Sequence, residues 1–435
     1  MEDKPGNAPA GIHLMAKPAG PSCNLRCDYC FYLEKMAFFR DSRNCRMSDE
    51  VLEAYVRRVV EANREDPEGI LFAWQGGEPT LMGLDFFRKA LAVEMRHAAG
   101  RPVRNTLQTN GLLLDDRWCE FLSRNGFLVG LSLDGPREIH DRYRRGTGGA
   151  STFNKVHRAL RLLGKHGVQF NVLASVARET ARHPLEVYRF FKAEGIEFIQ
   201  FIPIVERMPG GPSKALGLEL GTPPLLDRTE EGEVTPWTVE PDAYGSFLCD
   251  IFSEWVRNDV GKIFVMNFEW TLFAWIGGEG PVCYLARRCG NSCIVEHNGD
   301  VYSCDHYVYP EYRLGNVCAD SARTLADSAI QRQWGARKET MLTGDCRGCD
   351  VLSICRGDCP KHRFSVTAAG EPGLSYLCPA YKRFYRFSRK YMEAFSKLLE
   401  HNLPLEYIMK AVVGPLVVRP DPSDSDGKTI IISIR

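Results

Sequence analysis

The chain has 435 residues, with 55 lysines and arginines against 55 aspartates and glutamates, and 16 cysteines. Zero formal charge gives no bulk attraction to nucleic acid or an anionic membrane, and no run approaches the ~18 apolar residues of a membrane span. The opening Met1-Glu2-Asp3-Lys4-Pro5-Gly6-Asn7 lacks the apolar core of an export signal. A cytoplasmic location is expected, where cysteines ligate metal more readily than they pair as disulfides.

Length divided by about 150 suggests two or three domains. The first strand is expected at 12–17, followed by a helix from about Ser48 whose Val51, Leu52, Tyr55, Val56, Val59 and Val60 share one face. Further strands are expected at 70–74, 103–108, 127–133, 169–176 and 198–203, each separated by a helical pattern. Six βα units imply an α/β fold around a parallel sheet. Special residues follow the strand ends: Cys23 to Cys30, Gly76-Gly77-Glu78-Pro79, Gln108-Thr109-Asn110-Gly111 and Ser132-Leu133-Asp134-Gly135-Pro136. Parallel α/β barrels place their chemistry at those ends.

The stretch 207–240 is rich in Pro, Gly and charge and reads as an insertion or surface loop. Residues 242–256 read as helix, and the composition turns cysteine-rich from Cys283. The expected organisation is a barrel at 1–240, a connecting helical segment at 241–282, a cysteine-rich domain at 283–400 and a tail at 401–435 with a polar linker at 420–428. No internal repeat is evident.

The loop Cys23-Asn24-Leu25-Arg26-Cys27-Asp28-Tyr29-Cys30 can hold three irons of a [4Fe–4S] cube and leave the fourth iron to a small molecule. A zinc site would need a fourth protein ligand. The run resembles the signature of the radical S-adenosylmethionine (SAM) superfamily, whose fold is a partial (β/α)6 barrel similar to a TIM barrel. There the open iron chelates the amino and carboxylate groups of the methionine moiety. The resemblance implies a cofactor site lined by Tyr29, Gly76, Gly77, Glu78, Ser132, Arg144 and Val205, the glycines admitting close backbone approach because they lack Cβ. Plainer readings are packing for Tyr29 and Val205, a turn cap for Ser132 and a solvated charge for Arg144.

A second array comprises Cys283-x5-Cys289, Gly299-x4-Cys304, Cys346-x2-Cys349-x5-Cys355-x3-Cys359 and Cys378. It resembles the SPASM domain that follows the barrel in peptide-modifying radical SAM enzymes. That resemblance assigns Cys283, Cys289, Cys304 and Cys359 to one auxiliary [4Fe–4S] cluster and Cys346, Cys349, Cys355 and Cys378 to another. The interleaving of Cys359 does not follow from spacing, and a zinc ribbon is the alternative. Cys45, Cys119, Cys249, Cys293 and Cys318 have no ligand role and read as small buried hydrophobes.

Cys304-Asp305-His306-Tyr307, Tyr309-Pro310-Glu311-Tyr312, Leu314-Gly315-Asn316 and Cys27-Asp28-Tyr29-Cys30-Phe31-Tyr32 resemble the anaerobic sulfatase-maturating enzymes. The resemblance implies that SAM cleavage yields a 5′-deoxyadenosyl radical, which starts oxidation of a Cys or Ser side chain on an unfolded sulfatase segment to Cα-formylglycine. It makes Asp305 the base, the auxiliary clusters the electron sink, and ferredoxin or flavodoxin the donor. Another SPASM enzyme, crosslinking a ribosomal peptide through a thioether or carbon–carbon bond, would share every cluster cysteine. A non-enzymatic iron–sulfur or zinc scaffold would turn over no SAM. The Asp305 context, and the short stretch before the first strand, favour sulfatase maturation.

Overall fold

The computed structural model describes residues 11–39, 45–223, 233–280, 282–290, 292–414, 416–418, 430–432 and 434. Six parallel strands run through the first half: β1 His13–Lys17, β2 Ile70–Trp74, β3 Val103–Thr109, β4 Leu128–Ser132, β5 Gln169–Val176 and β6 Phe198–Pro203. Each pairs with the next, as the six expected βα units require. Helices cover the sheet with their apolar stripes. Asp49–Ala62 is capped by Ser48, whose hydroxyl accepts from Val51 N at 3.3 Å. Its buried Tyr55 donates to the Leu14 carbonyl at 2.9 Å and fixes the helix against β1.

The sheet does not end where the sequence suggested. β7 Phe264–Val265 adds beside β6, and β8 Ser292–Glu296 adds in parallel to β1, with His13 opposite Ser292 and Lys17 opposite Glu296. β9 Asp300–Tyr302 and β10 Arg313–Asn316 then extend the β8 edge as antiparallel strands. The ten strands run in the order β10-β9-β8-β1-β2-β3-β4-β5-β6-β7. β8 thus draws part of the cysteine-rich segment into the main sheet, and its register with β1 sets the residues just after Glu296, such as His297, beside the loop that follows β1.

Helix Pro241–Asn258 does more than connect. It packs on the long helix Cys378–Glu400 through Tyr244 with Tyr381 at 6.1 Å and Phe252 with Tyr391 at 5.3 Å between ring centroids. In the expected insertion, residues 224–232 lie outside the described residues. The rest folds back on the barrel: Met208 N donates to Glu233 O at 2.8 Å, Leu218 and Leu220 are buried, and Leu220 N donates to Glu34 Oε2 at 3.0 Å. The expected linker at 420–428 also lies outside the described residues. Among the described residues no helix is long and apolar enough to cross a membrane.

Candidate active site

The loop after β1 carries Cys23, Cys27 and Cys30 and is held by backbone from the end of β2 and from the end of the short helix Arg137–Tyr143. Gly77 N and Glu78 N donate to Gly20 O and Ser22 O, both at 2.8 Å, while Arg26 N and Asp28 N donate to Arg145 O and Tyr143 O at 2.8 and 3.1 Å. A Cβ on Gly77 would collide with the Ser22 carbonyl, and Gly76 has φ +128°. The close approach these glycines permit is therefore to the cysteine loop itself. Glu78 is fully committed to protein donors: Oε1 accepts from Thr80 N, Thr80 Oγ1 and Thr109 Oγ1 at 3.0, 2.6 and 2.8 Å, and Oε2 accepts from Asn110 N at 2.7 Å. The carboxylate thereby clips the ends of β2 and β3 together. Asn110 in turn sends Nδ2 to Asn24 Oδ1 at 2.7 Å and toward Cys23 Sγ at 3.7 Å.

Three residues expected near the cofactor cluster at the ends of β4 and β5. Arg144 Nε donates to Asp134 Oδ2 at 3.0 Å and Nη2 to Ser175 Oγ at 3.2 Å, while its guanidinium lies 5.5 Å from the Tyr29 ring. Tyr29 OH donates to the same Asp134 oxygen at 2.5 Å, and Ser175 N donates to Oδ1 at 2.8 Å. Burial opposes the Arg144 charge, yet Asp134, Tyr29 and Cys27 hold its pKa above the ordinary value. Arg144 is thus a paired cation rather than a solvated one. Ser132 ends β4 and is buried, and Val205 is buried just past β6. Asp134, which joins this group, was not singled out from sequence, although it lies in the motif noted after β4.

Asp305 follows Cys304 and forms an ion pair through Oδ1 with Lys17 at the end of β1. The Lys17 side chain is 2 % exposed and that of Asp305 30 %, and Oδ1 itself is buried, so the open part of the carboxylate is the Oδ2 side. Burial would raise the Asp305 pKa, but Lys17 first and His306 next hold it below the usual carboxylate value. Burial drives His306 well below the ordinary imidazole value, helped by Lys361. Lys17 also lies 4.0 Å from the Tyr32 ring, whose hydroxyl donates to fully buried Glu296. Beside it, Lys361 pairs with Glu206 and sits 4.8 Å from the Phe31 ring. Sequence reading missed Lys17, and its signal was a lysine closing the otherwise apolar run Leu14-Met15-Ala16.

A cavity of about 800 Å³ opens over the cysteine loop. Its wall includes all three loop cysteines, Glu34, Gly146 to Gly149, Leu220 and Trp237. Asp305, Tyr29, Ser132, Arg144 and Val205 stand outside that wall. The described part of the 207–240 insertion contributes to it through Gly217, Glu219 and Leu220.

The remaining cysteines fall into two groups by mutual influence. Burial and then Cys283 and Cys359 raise the Cys304 thiol, and Cys359 is raised by burial, Asp358, Cys283 and Cys289. Cys355 is pushed up to about 12 by burial and Asp358, with Cys378 and Cys346 adding, and Cys378 is raised by burial, Cys346 and Cys349. The chain crosses from one group to the other by a turn in which Arg356, Gly357 and Asp358 have φ of 51°, 73° and 58°. Two non-glycine residues in that region cost of order 1–3 kcal/mol each. Asp358 is held there by His362 Nδ1 at 2.8 Å and Ser375 Oγ at 2.7 Å. Lys338, fully buried, donates to the carbonyls of Cys283, Tyr284 and Ala286 and ties the other loop down. Cys45, Cys119, Cys249 and Cys293 are buried as expected, whereas Cys318 is exposed.

Cys23, Cys27 and Cys30 line one cavity, a three-thiolate donor set that would hold a four-iron cube and leave one iron open. Burial pushes Cys23 up to about 12 and Cys30 to about 11. Metal ligation would displace those protons.

Comparison with known proteins agrees with this arrangement. The family described as the radical SAM superfamily matches residues 18–191, and the SPASM iron–sulfur cluster-binding domain matches 283–350. The chain is 43 % identical over 401 residues to the serine-type anaerobic sulfatase-maturating enzyme of Bacteroides thetaiotaomicron, covering 92 % of this chain and 95 % of that one. It is 35 % identical over 385 residues to a cysteine-type anaerobic sulfatase-maturating enzyme of Clostridium perfringens, covering 87 % and 96 %. A solved structure described as native anSMEcpe with bound AdoMet and Cp18Cys peptide is 33 % identical, with a TM-score of 0.75 over 89 % of this chain and 99 % of that one. At such identity over nearly its whole length, the chain belongs to the anaerobic sulfatase-maturating enzymes of the radical SAM superfamily.

Proposed function

We propose that the chain oxidises a cysteine or serine side chain of an unfolded sulfatase segment to Cα-formylglycine, using SAM and three [4Fe–4S] clusters. Cys23, Cys27 and Cys30 would hold the cluster that leaves one iron open. Cys283, Cys289, Cys304 and Cys359 would hold the first auxiliary cluster, and Cys346, Cys349, Cys355 and Cys378 the second. When bound at the open iron, SAM would supply the radical chemistry that takes a hydrogen atom from the substrate Cβ.

The observation that carries the reading is the adjacency of Asp305 to Cys304. After hydrogen abstraction the substrate radical must lose its thiol or hydroxyl proton and one electron; Asp305 is placed to take the proton, and a cluster held by Cys304 and its partners would supply the electron acceptor. Lys17 keeps Asp305 ionised, so its open Oδ2 side is ready to take the thiol or hydroxyl proton. His306, held neutral at pH 7 by burial, does not add a competing acid there. Arg144, Asp134 and Tyr29 form a buried network behind the cysteine loop, and with Ser132 and Val205 they would flank SAM on the side away from the open cavity. A cysteine substrate would give a thioaldehyde that hydrolyses with release of sulfide, and a serine would give the aldehyde directly. A low-potential carrier such as ferredoxin or flavodoxin supplies the electron for SAM cleavage.

Asp305→Asn tests the assignment. It preserves shape and removes the base, so 5′-deoxyadenosine should still form while formylglycine falls by about 10²-fold, the scale of a lost general base. Normal formylglycine yield at full iron content would refute Asp305 as the proton acceptor.

A further inference from the structure

Tyr307 has a hydroxyl that the protein leaves without a partner. The residue closes the short helix Asp305–Tyr307 and is 1 % exposed. Its ring is fixed edge-on by Tyr312 at 4.9 Å and Trp334 at 5.4 Å between centroids. Cys289 and Cys304 pack against the same aromatic cluster. The groups that act most strongly on the phenol, after burial, include Cys359, Cys304 and Cys289, three of the four thiols assigned to the first auxiliary cluster. Among the described residues the hydroxyl makes no hydrogen bond.

A buried O–H without an acceptor is costly, and natural cores rarely keep one. An acceptor belongs in that space, and the surrounding chemistry is sulfur. We propose that Tyr307 donates its O–H to a sulfur of the cluster held by Cys283, Cys289, Cys304 and Cys359, and thereby raises that cluster's reduction potential. Hydrogen bonds to cluster sulfurs are among the determinants of potential, because they stabilise the more negatively charged reduced form. A higher potential makes the cluster beside Asp305 a better acceptor for the substrate electron. Tyr307 is in this sense a positioning residue for charge, and it neither loses its proton nor carries the electron. The inference rests on the assignment of those four cysteines to one cluster.

The test uses the full chain, anaerobically reconstituted, with Cys23, Cys27 and Cys30 replaced by Ala so that only the auxiliary clusters give a signal. Redox titration followed by electron paramagnetic resonance should show one auxiliary cluster shifted to lower potential in Tyr307→Phe, and the other unmoved. Replacing Tyr307 by 3,5-difluorotyrosine, a more acidic donor of nearly the same shape, should shift the same cluster to higher potential. This second arm decides the matter if the Phe variant assembles poorly. Potentials unchanged in both variants at full iron content would overturn the proposal and leave a buried water as the partner. If the Cys283→Ala variant of the same chain keeps both auxiliary signals, the cysteine assignment fails first and the proposal with it.

Discussion

Replacing Lys17 by Met removes the cation that holds Asp305 ionised while filling nearly the same volume. The two groups form a close ion pair with Lys17 buried and Asp305 partly open. Two charges about 4 Å apart interact by about 4 kcal/mol at an effective dielectric constant of about 20. Asp305 keeps some solvent, so about 2–4 kcal/mol is expected, or about 30- to 1000-fold in its ionisation equilibrium. The sign follows from the causes. With Lys17 present the carboxyl lies below the usual value and stays charged throughout the neutral range. Without it burial loses its strongest opponent and Lys361 remains as a weaker one, so the carboxyl rises and an acid limb enters the pH profile of product formation. Formylglycine per 5′-deoxyadenosine, measured by mass spectrometry between pH 5 and 9, should fall toward the acid end in Lys17→Met and stay flat in the parent. In Asp305→Asn the Lys17 substitution should add no further pH dependence. Identical profiles for parent and Lys17→Met, at equal iron content, would refute the argument.

Asp134→Asn should cost about 3–5 kcal/mol in denaturant unfolding, because it leaves the buried Arg144 guanidinium without its counter-charge; Arg144→Gln in the same background should recover part of that loss. Gly77→Ala should lose the iron of the loop cluster while keeping the auxiliary iron, since its Cβ meets the Ser22 carbonyl, and iron analysis with SAM-cleavage assays would detect it. Short peptides and unfolded sulfatase should turn over while native sulfatase does not, because hydrogen transfer needs near-contact geometry; equal rates on the two forms would contradict an extended substrate.

Among the six parallel strands, β2 was legible because a strand buried on both faces reads as an apolar run, Ile70-Leu71-Phe72-Ala73-Trp74, whereas β3 alternates polar and buried residues. β8 was not legible, because Ser292 and Glu296 bracket only three apolar residues. Its pairing with β1 comes from more than 270 residues of sequence separation, and no local pattern reports that. The cysteine loop could be read directly, since its chemistry is set by spacing along one segment. Lys17 and Asp134 could not, because each acquires its meaning from a partner on another strand end. The crossing of Cys359 into the first group depends on the left-handed turn at Arg356 to Asp358, where only Gly357 advertises such a conformation. The donors that occupy Glu78 come partly from Thr80 beside it and partly from Thr109 and Asn110 at the end of β3, and no local pattern reports the second pair.

The most direct test is anaerobic incubation of the reconstituted chain with SAM, a reductant and two sulfatase-motif peptides that differ only in carrying Cys or Ser at the target position. Mass spectrometry with aldehyde trapping should find formylglycine at that residue in at least one peptide, accompanied by 5′-deoxyadenosine, and sulfide where the target is Cys. SAM cleavage with no aldehyde in either peptide, or a crosslinked product in its place, would contradict the account.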